Sequence, residues 1–215
     1  NNYFVALEQD VGLCDVTKMA ETLGLKLSGT TFQKAQNPSF TLGTAEISPI
    51  SLANAYATIA ARGKRCDPII LKSAVGKDGK SYDVPSANCQ QVIPEKVADT
   101  VADVLRGPFN GGTASAANIP GYNIAGKTGT DTGSPTIWTV GMTPQLAGAA
   151  MITVDGQADR YKHLKKDKRS LTGAPIRDNK YRLRGSSGGE AGAGIWKPAM
   201  TVALQGLEKG NFVRP

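Results

Sequence analysis

Six consecutive residues, Ala125-Gly126-Lys127-Thr128-Gly129-Thr130, place a lysine between two glycines and hydroxyls at alternate positions after it. Two chemistries suit such a set. It can cradle a phosphate, or it can form a strand edge that presents an ammonium and two hydroxyls to an anionic, acylating substrate. The segment Gly121-Tyr-Asn-Ile-Ala-Gly126-Lys127-Thr128 does match the phosphate-loop pattern G-x-x-x-x-G-K-T, and 149–155 reads as an apolar strand ending in Asp155. A phosphate loop, however, must follow a buried strand and open a helix, because the helix N-terminal N–H groups and dipole hold the anion. Residues 113–120 contain no β-branched apolar run, and 129–135 carry two glycines and Pro135, which break a helix. The nucleotide reading fails on both sides.

The strand reading fits its surroundings. Alternation sends Lys127 and Gly129 to one face and Thr128 and Thr130 to the other. Gly129 lets a substrate backbone approach closely. A turn at 131–135 leads into a second strand over 137–142. A turn at 143–145 then leads into a third over 146–154, which makes an antiparallel meander with the lysine-bearing strand first. A lysine on an edge strand can also serve only to block edge-to-edge pairing. The glycines and threonines around Lys127, with Trp138 eight residues after Thr130, favour presentation of a ligand site.

Lys127-Thr128-Gly129-Thr130, preceded by Ala-Gly and followed by Trp138-Thr-Val-Gly-Met-Thr-Pro144, resembles the third motif of penicillin-binding proteins and serine β-lactamases. The segment 40–56 is similar to the helix that precedes the transpeptidase sheet in class A penicillin-binding proteins. Gly111-Gly-Thr-Ala-Ser115 and Ile195-Trp-Lys-Pro-Ala-Met200 are similar to that family too. The resemblance covers nearly the whole chain. It implies an α+β penicillin-binding transpeptidase (β-lactamase-like) fold, an antiparallel β-sheet flanked by helices and incomplete at its N-terminal side.

The resemblance also implies acyl transfer. A serine is deprotonated by a nearby lysine, two backbone N–H groups hold the tetrahedral oxyanion, and hydroxyls in a positive field hold the substrate carboxylate. By position, Lys127 supplies the field and adjusts the proton relay, and Thr128 and Thr130 bind the carboxylate of D-Ala-D-Ala or a β-lactam. The Thr130 N–H is the second oxyanion donor, Gly129 admits the substrate, and Trp138 lines the groove or packs in the core. Neither cofactor nor metal is implied.

The departure from the family lies in the nucleophile. No serine here has lysine three residues later, and Thr31-Phe-Gln-Lys34 has the spacing with the wrong residue. The Ser-x-x-Lys motif is therefore expected upstream of Asn1, with Asn1 as the asparagine of Ser-x-Asn. Ser86-Ala87-Asn88 spells the same motif beside Cys89 and reads as a turn. The implied partners are peptidoglycan stem peptides and β-lactams, that upstream segment, a glycosyltransferase domain and a membrane anchor. The implied location is the extracytoplasmic face of a bacterial membrane. A non-catalytic sensor module or a serine β-lactamase are the alternatives. The segment alone is expected to be inactive.

The elements that must position these residues follow from pattern. At 215 residues and 40% hydrophobic content the chain can bury one sizeable core. Its start at Asn1, inside an apolar-periodic run, reads as part of a longer chain. One domain is expected, in five parts: helices over 1–63, a hairpin insertion over 64–93, a helix and sheet over 94–155, a basic loop over 156–190 and a C-terminal helix over 191–215. Helical spacing predicts 3–11, stopped by Gly12, and 16–23, capped by Asp15. Ser48 and Pro49 open a helix that buries Leu52, Ala55, Tyr56 and Ile59. Pro94 opens another, through Leu105, with Val97, Val101 and Val104 or Leu105 on one face, and 198–204 forms the last.

Cys66 and Cys89 flank a hairpin whose pairing would bring them together as a disulfide, which implies an oxidising compartment. The alternative is three buried free thiols, and Cys14 is odd in number either way. Between Arg160 and Arg184, ten Lys/Arg face two Asp, a local +8 against +7 for the whole chain. Such a run attracts anionic lipid or cell-wall polymers, or is a solvated, flexible loop, and the only histidine, His163, is exposed within it. Nucleic acid is excluded as a partner: only Tyr161 and Tyr181 could stack on bases, and no binding motif accompanies them.

Overall fold

The computed structural model describes residues 2–32, 34, 36–176 and 180–215. Three strands carry its centre: β5 (Ala125–Thr130), β6 (Thr136–Met142) and β7 (Ala147–Thr153), an antiparallel meander in that order. Among the described residues, four short strands precede them, β1 (Lys64–Arg65), β2 (Ala74–Val75), β3 (Ser81–Tyr82) and β4 (Gln90–Gln91). The register pairs Gly126 with Gly141, Thr128 with Thr139 and Gly129 with Trp138.

Each face of the meander is covered by a different layer. On one face, Ala125 and Met142 pack with Ile59 of α3 (Pro49–Ala60) and Ala102 of α4 (Glu95–Val104). On the other, Gly141 leaves room for the Trp196 ring, which would meet a Cβ there at 2.6 Å. Trp196 tilts against Phe109, with ring centroids 5.3 Å apart, and donates from Nε1 to the Gly148 carbonyl at 2.8 Å. It closes a π-helical segment, Ser187–Trp196, that runs into α5 (Lys197–Ala203). This wide helix spans the boundary expected from sequence between the basic loop, to 190, and the C-terminal helix, from 191, and its glycines do not break it. Gly188 and Gly192 are packing contacts instead: a Cβ would meet the Thr113 carbonyl at 2.0 Å and the Ala117 Cβ at 3.0 Å, respectively.

The helices keep their sequence signals with two corrections. Ser48 caps α3 by accepting from the Ser51 N–H, with Pro49 at its first position. Burial in α3 falls on Ser51, Ala55, Thr58 and Ile59, with Leu52 and Tyr56 half-buried. Ahead of it, α1 (Asn2–Val11) and α2 (Leu13–Thr22) are separated by Gly12 at φ 91°. Gly12 both ends α1 and caps α2, so Asp15 sits inside the first turn of α2 and is not its cap. The second correction is α4. Its valines 97, 101 and 104 are exposed, and Ala98, Asp99 and Ala102 are the buried positions. Arg62 selects that face. Its guanidinium donates from Nε and NH2 to the two Asp99 carboxylate oxygens at 3.0 and 2.9 Å, and pairs with Glu95 at 3.0 Å. The hydrogen bond to Asp99, the largest influence, holds the Arg62 pKa above its ordinary value. Packing around the half-buried Tyr56 pushes its phenol up to about 12, through desolvation.

Cys66 and Cys89 form a disulfide beside the β1–β4 pair, at the base of an arm whose tip is the β2–β3 hairpin. Asn88, at φ 44°, donates from its side chain to Asp67 and takes a backbone bond to the Ser86 hydroxyl, so the Ser86–Asn88 stretch is a turn. Cys14 is an exposed free thiol near Gln36. Within the basic loop expected over 156–190, the described residues up to 185 fold as a small lobe. Its hairpin pairs β8 (Pro175–Ile176) with β9 (Tyr181–Arg182), and Tyr161, Leu171, Ala174 and Leu183 pack on Ile137 of β6. No helix among the described residues is long and apolar enough to cross a membrane.

Candidate active site

β5 is an edge strand, and its hydrogen bonding shows which groups its free edge presents. The Gly126 N–H turns away from β6 and donates to the Leu105 carbonyl at 2.8 Å, whereas the Asp131 N–H turns inward to Thr136. Antiparallel pairing alternates these directions. The N–H groups of Thr128 and Thr130 therefore point off the sheet, along the open edge. At the same edge the Lys127 ammonium donates to the Thr128 carbonyl at 2.9 Å.

Side chains divide between the two faces. Lys127 and Gly129 share a face with the half-buried Trp138, and both are exposed where the cover from α3 and α4 ends. Thr128 and Thr130 lie on the opposite face. Thr130 is exposed, but Thr128 is only 8% exposed, and its hydroxyl shares a 2.7 Å hydrogen bond with the Thr113 hydroxyl. Each hydroxyl has one proton, so whichever donates leaves the other's proton free. The pair therefore offers one O–H, and the exposed Thr113 gives it access to solvent.

Thr113 is held from behind. Gly188 lets the Thr113 carbonyl sit against the π-helical segment, and the Thr139 hydroxyl, fully buried, donates to the Ser187 carbonyl at 2.7 Å. Since Thr139 pairs with Thr128 across the sheet, the loop, the π-helical turn and β5 close one ring of contacts. Trp196 and Tyr56 belong to the packing, not to this edge. Among the described residues no three His, Cys, Asp or Glu gather as a metal site would require. Asn1, expected as the Ser-x-Asn asparagine, lies outside the described residues.

Residues 1–172 match the model of the penicillin binding protein transpeptidase domain. The chain belongs to that family. Among curated relatives of this transpeptidase segment, penicillin-binding protein 1A of Aquifex aeolicus is 31% identical over 126 residues, covering 59% of this chain and 17% of that protein. Penicillin-binding protein 2D of Bacillus subtilis is 31% identical over 164 residues, covering 72% and 23%. The structure of the PonA1 protein from Mycobacterium tuberculosis in complex with penicillin V superposes with a TM-score of 0.68. It is 27% identical, over 91% of this chain and 51% of that one. Penicillin-binding protein 1A from Haemophilus influenzae shares the fold at a TM-score of 0.72 and 18% identity, over 99% of this chain and 34% of that one. The segment thus spans about a fifth of the curated relatives it matches.

Within the transpeptidase segment, the residue that sequence reasoning did not single out is Thr113. Its signal was present, since Gly111-Gly-Thr-Ala-Ser115 stood among the family-like stretches. Nothing local, however, could show that this hydroxyl would meet Thr128 fifteen residues on.

Proposed function

We propose that residues 1–215 are the C-terminal portion of one peptidoglycan D,D-transpeptidase domain, working on the extracytoplasmic face of a bacterial membrane. An upstream segment of the same protein, carrying Ser-x-x-Lys, completes the site, and a glycosyltransferase domain and membrane anchor accompany it. The observation that carries the reading is the open edge of β5, where the Lys127 ammonium and the outward Thr130 N–H converge.

In this reading the stem peptide lies along β5 as an added strand. The serine oxygen attacks the carbonyl between the two D-alanines, and negative charge develops on the carbonyl oxygen. The Thr130 N–H stabilises that charge as one of two backbone donors. Lys127 supplies positive potential, and the exposed Thr130 hydroxyl and the one O–H offered by the Thr113–Thr128 pair receive the terminal carboxylate. The C–N bond breaks, the departing amine takes a proton, and the acyl-enzyme passes to an amine of a second stem peptide. A β-lactam enters the same way but keeps its leaving group tethered. Trp138 borders the groove on the Lys127 face. The disulfide fits an oxidising compartment.

The test is acylation of the intact protein by a fluorescent penicillin. Lys127→Ala is expected to slow acylation by roughly 100-fold, the cost of removing one preorganised electrostatic group. The segment alone is expected to show none. An intact wild-type protein that resists acylation while folded refutes the transpeptidase reading and favours a binding module.

A further inference from the structure

The folded lobe over residues 156–185 has no part in the chemistry above, yet it carries the chain's charge. Ten Lys/Arg against Asp159, Asp167 and Asp178 give it +7, the net charge of the whole protein, so the remainder is neutral. Charge of one sign on a surface loop is ordinary. Charge of one sign on a lobe packed through apolar side chains onto β6 is different, because folding holds the cations together against their mutual repulsion.

The lobe is fixed in place. Tyr161 donates its hydroxyl proton to the Ser170 carbonyl at 2.9 Å, and the Leu171 N–H donates to the Ser134 carbonyl at 2.9 Å. Gly185 packs on the same Ser134, where a Cβ would stand 2.9 Å from the serine Cβ. Ser134 belongs to the turn that leaves Thr130 and enters β6. The cationic surface is thus bound to the turn at one end of the Lys127–Thr130 edge. Its charges are also largely uncommitted. Lys162 pairs with Asp159 and Lys168 with Asp167, but among the described residues the side chains of Arg160, Lys165, Arg169, Lys180, Arg182 and Arg184 have no acidic partner.

We infer that this lobe is a docking surface for the anionic glycan strand whose peptides enter the groove. Carboxylates repeated along the strand meet the lobe's cations while one peptide reaches Thr130. The inference deepens the transpeptidase reading and rests on it for the identity of the polymer. The lobe's place beside the groove favours a polymer substrate over a bilayer, because a substrate must occupy both surfaces together. The binding is electrostatic, so it weakens as salt shortens the Debye length.

The experiment uses the intact protein, wild type and Lys165→Gln/Lys180→Gln/Arg184→Gln. All three side chains are exposed, and a thermal melt checks that the fold is kept. The probes are fluorescent uncross-linked glycan strands with intact stem peptides, the same strands with their carboxylates amidated, and phosphatidylglycerol vesicles. At low ionic strength the triple variant is expected to bind intact strands about tenfold more weakly than wild type. That difference should disappear in high salt and with amidated strands, and penicillin acylation should be unchanged. Equal binding of intact strands by both proteins overturns the inference, as does wild-type binding to vesicles but not to strands. Strand binding without acylation of the wild type counts against the transpeptidase reading alone, and acylation without strand binding counts against the dock alone.

Discussion

Two glycines three residues apart on β5 test whether the substrate lies where we place it. Neither has positive φ, so neither is required by backbone conformation. At Gly126 the fold itself demands the missing side chain. A Cβ would stand 2.2 Å from the Val140 carbonyl, 2.7 Å from the Gly141 Cα and 2.8 Å from the Phe109 ring. Two of these are backbone atoms of the paired strand, which no rotamer change can move. At Gly129 a Cβ would find only the Trp138 Cβ at 3.5 Å, an ordinary contact. The protein's own packing gives no reason for glycine at 129, so the reason must come from what approaches that face.

Gly126→Ala is expected to cost about 3 kcal/mol, the upper end for overpacking, read as a lowered urea midpoint. Gly129→Ala is expected to leave stability unchanged or raise it by about 0.5 kcal/mol, because alanine restricts the unfolded chain. On acylation the ranking reverses. A methyl beside Lys127 displaces the bound peptide by about 1 Å, which slows acylation by roughly 100-fold in a folded protein. The assay is the rate of fluorescent-penicillin labelling of the intact protein, with urea melts on the same samples. A Gly129→Ala protein that is labelled at the wild-type rate refutes the close approach of substrate to β5 at Gly129.

Thr113→Val keeps the shape of Thr113 but strands the Thr128 hydroxyl, so it is expected to cost about 1 kcal/mol in urea melts. It is also expected to slow acylation about tenfold, with recovery in Thr113→Ser; wild-type labelling of the valine variant would show that the pair does not serve the site. Tyr56 ties stability to alkaline pH. Its folded pKa of about 12 lies above the ordinary value of 10.0, so its contribution is complete below pH 10 and is lost as pH rises toward 12. At about pH 11 the loss is about 1.4 kcal/mol in wild type, and Tyr56→Phe should lack this share of the fall in urea midpoint between about pH 9 and about pH 11. The disulfide closes a loop with a sequence separation of 23. Cys66→Ser/Cys89→Ser should lower stability by about 3 kcal/mol, and dithiothreitol should weaken the wild type but not the double variant.

Some of this architecture was legible because it is written locally. Strand alternation and two turns mark out β5, β6 and β7, and Ser48 with Pro49 marks the start of α3 whatever the rest of the chain does. The disulfide needed one step more, a hairpin to bring Cys66 and Cys89 together, and its pairing was open until that arm was described. What escaped depended on partners far along the chain. The valine stripe of α4 is a sound helical pattern, but a guanidinium 37 residues upstream turns Asp99 inward and the valines outward. The pair is bidentate and charge-assisted, with the Asp99 carboxylate buried and Arg62 half-exposed, so Asp99 must keep its partner and the helix turns that face inward. The π-helical segment also rests on distant packing. In isolation its glycines disfavour a helix, yet Gly188 and Gly192 allow close contact with the 113–117 loop, and the packing gained there outweighs the conformational cost. The candidate site divides along the same line. Lys127 and Thr130 could be named from a single strand, whereas Thr113 joins them only because the glycines and Thr139 hold a separate loop against β5. A motif names the groups that meet a ligand, and the groups that aim them must be found in the packing behind it.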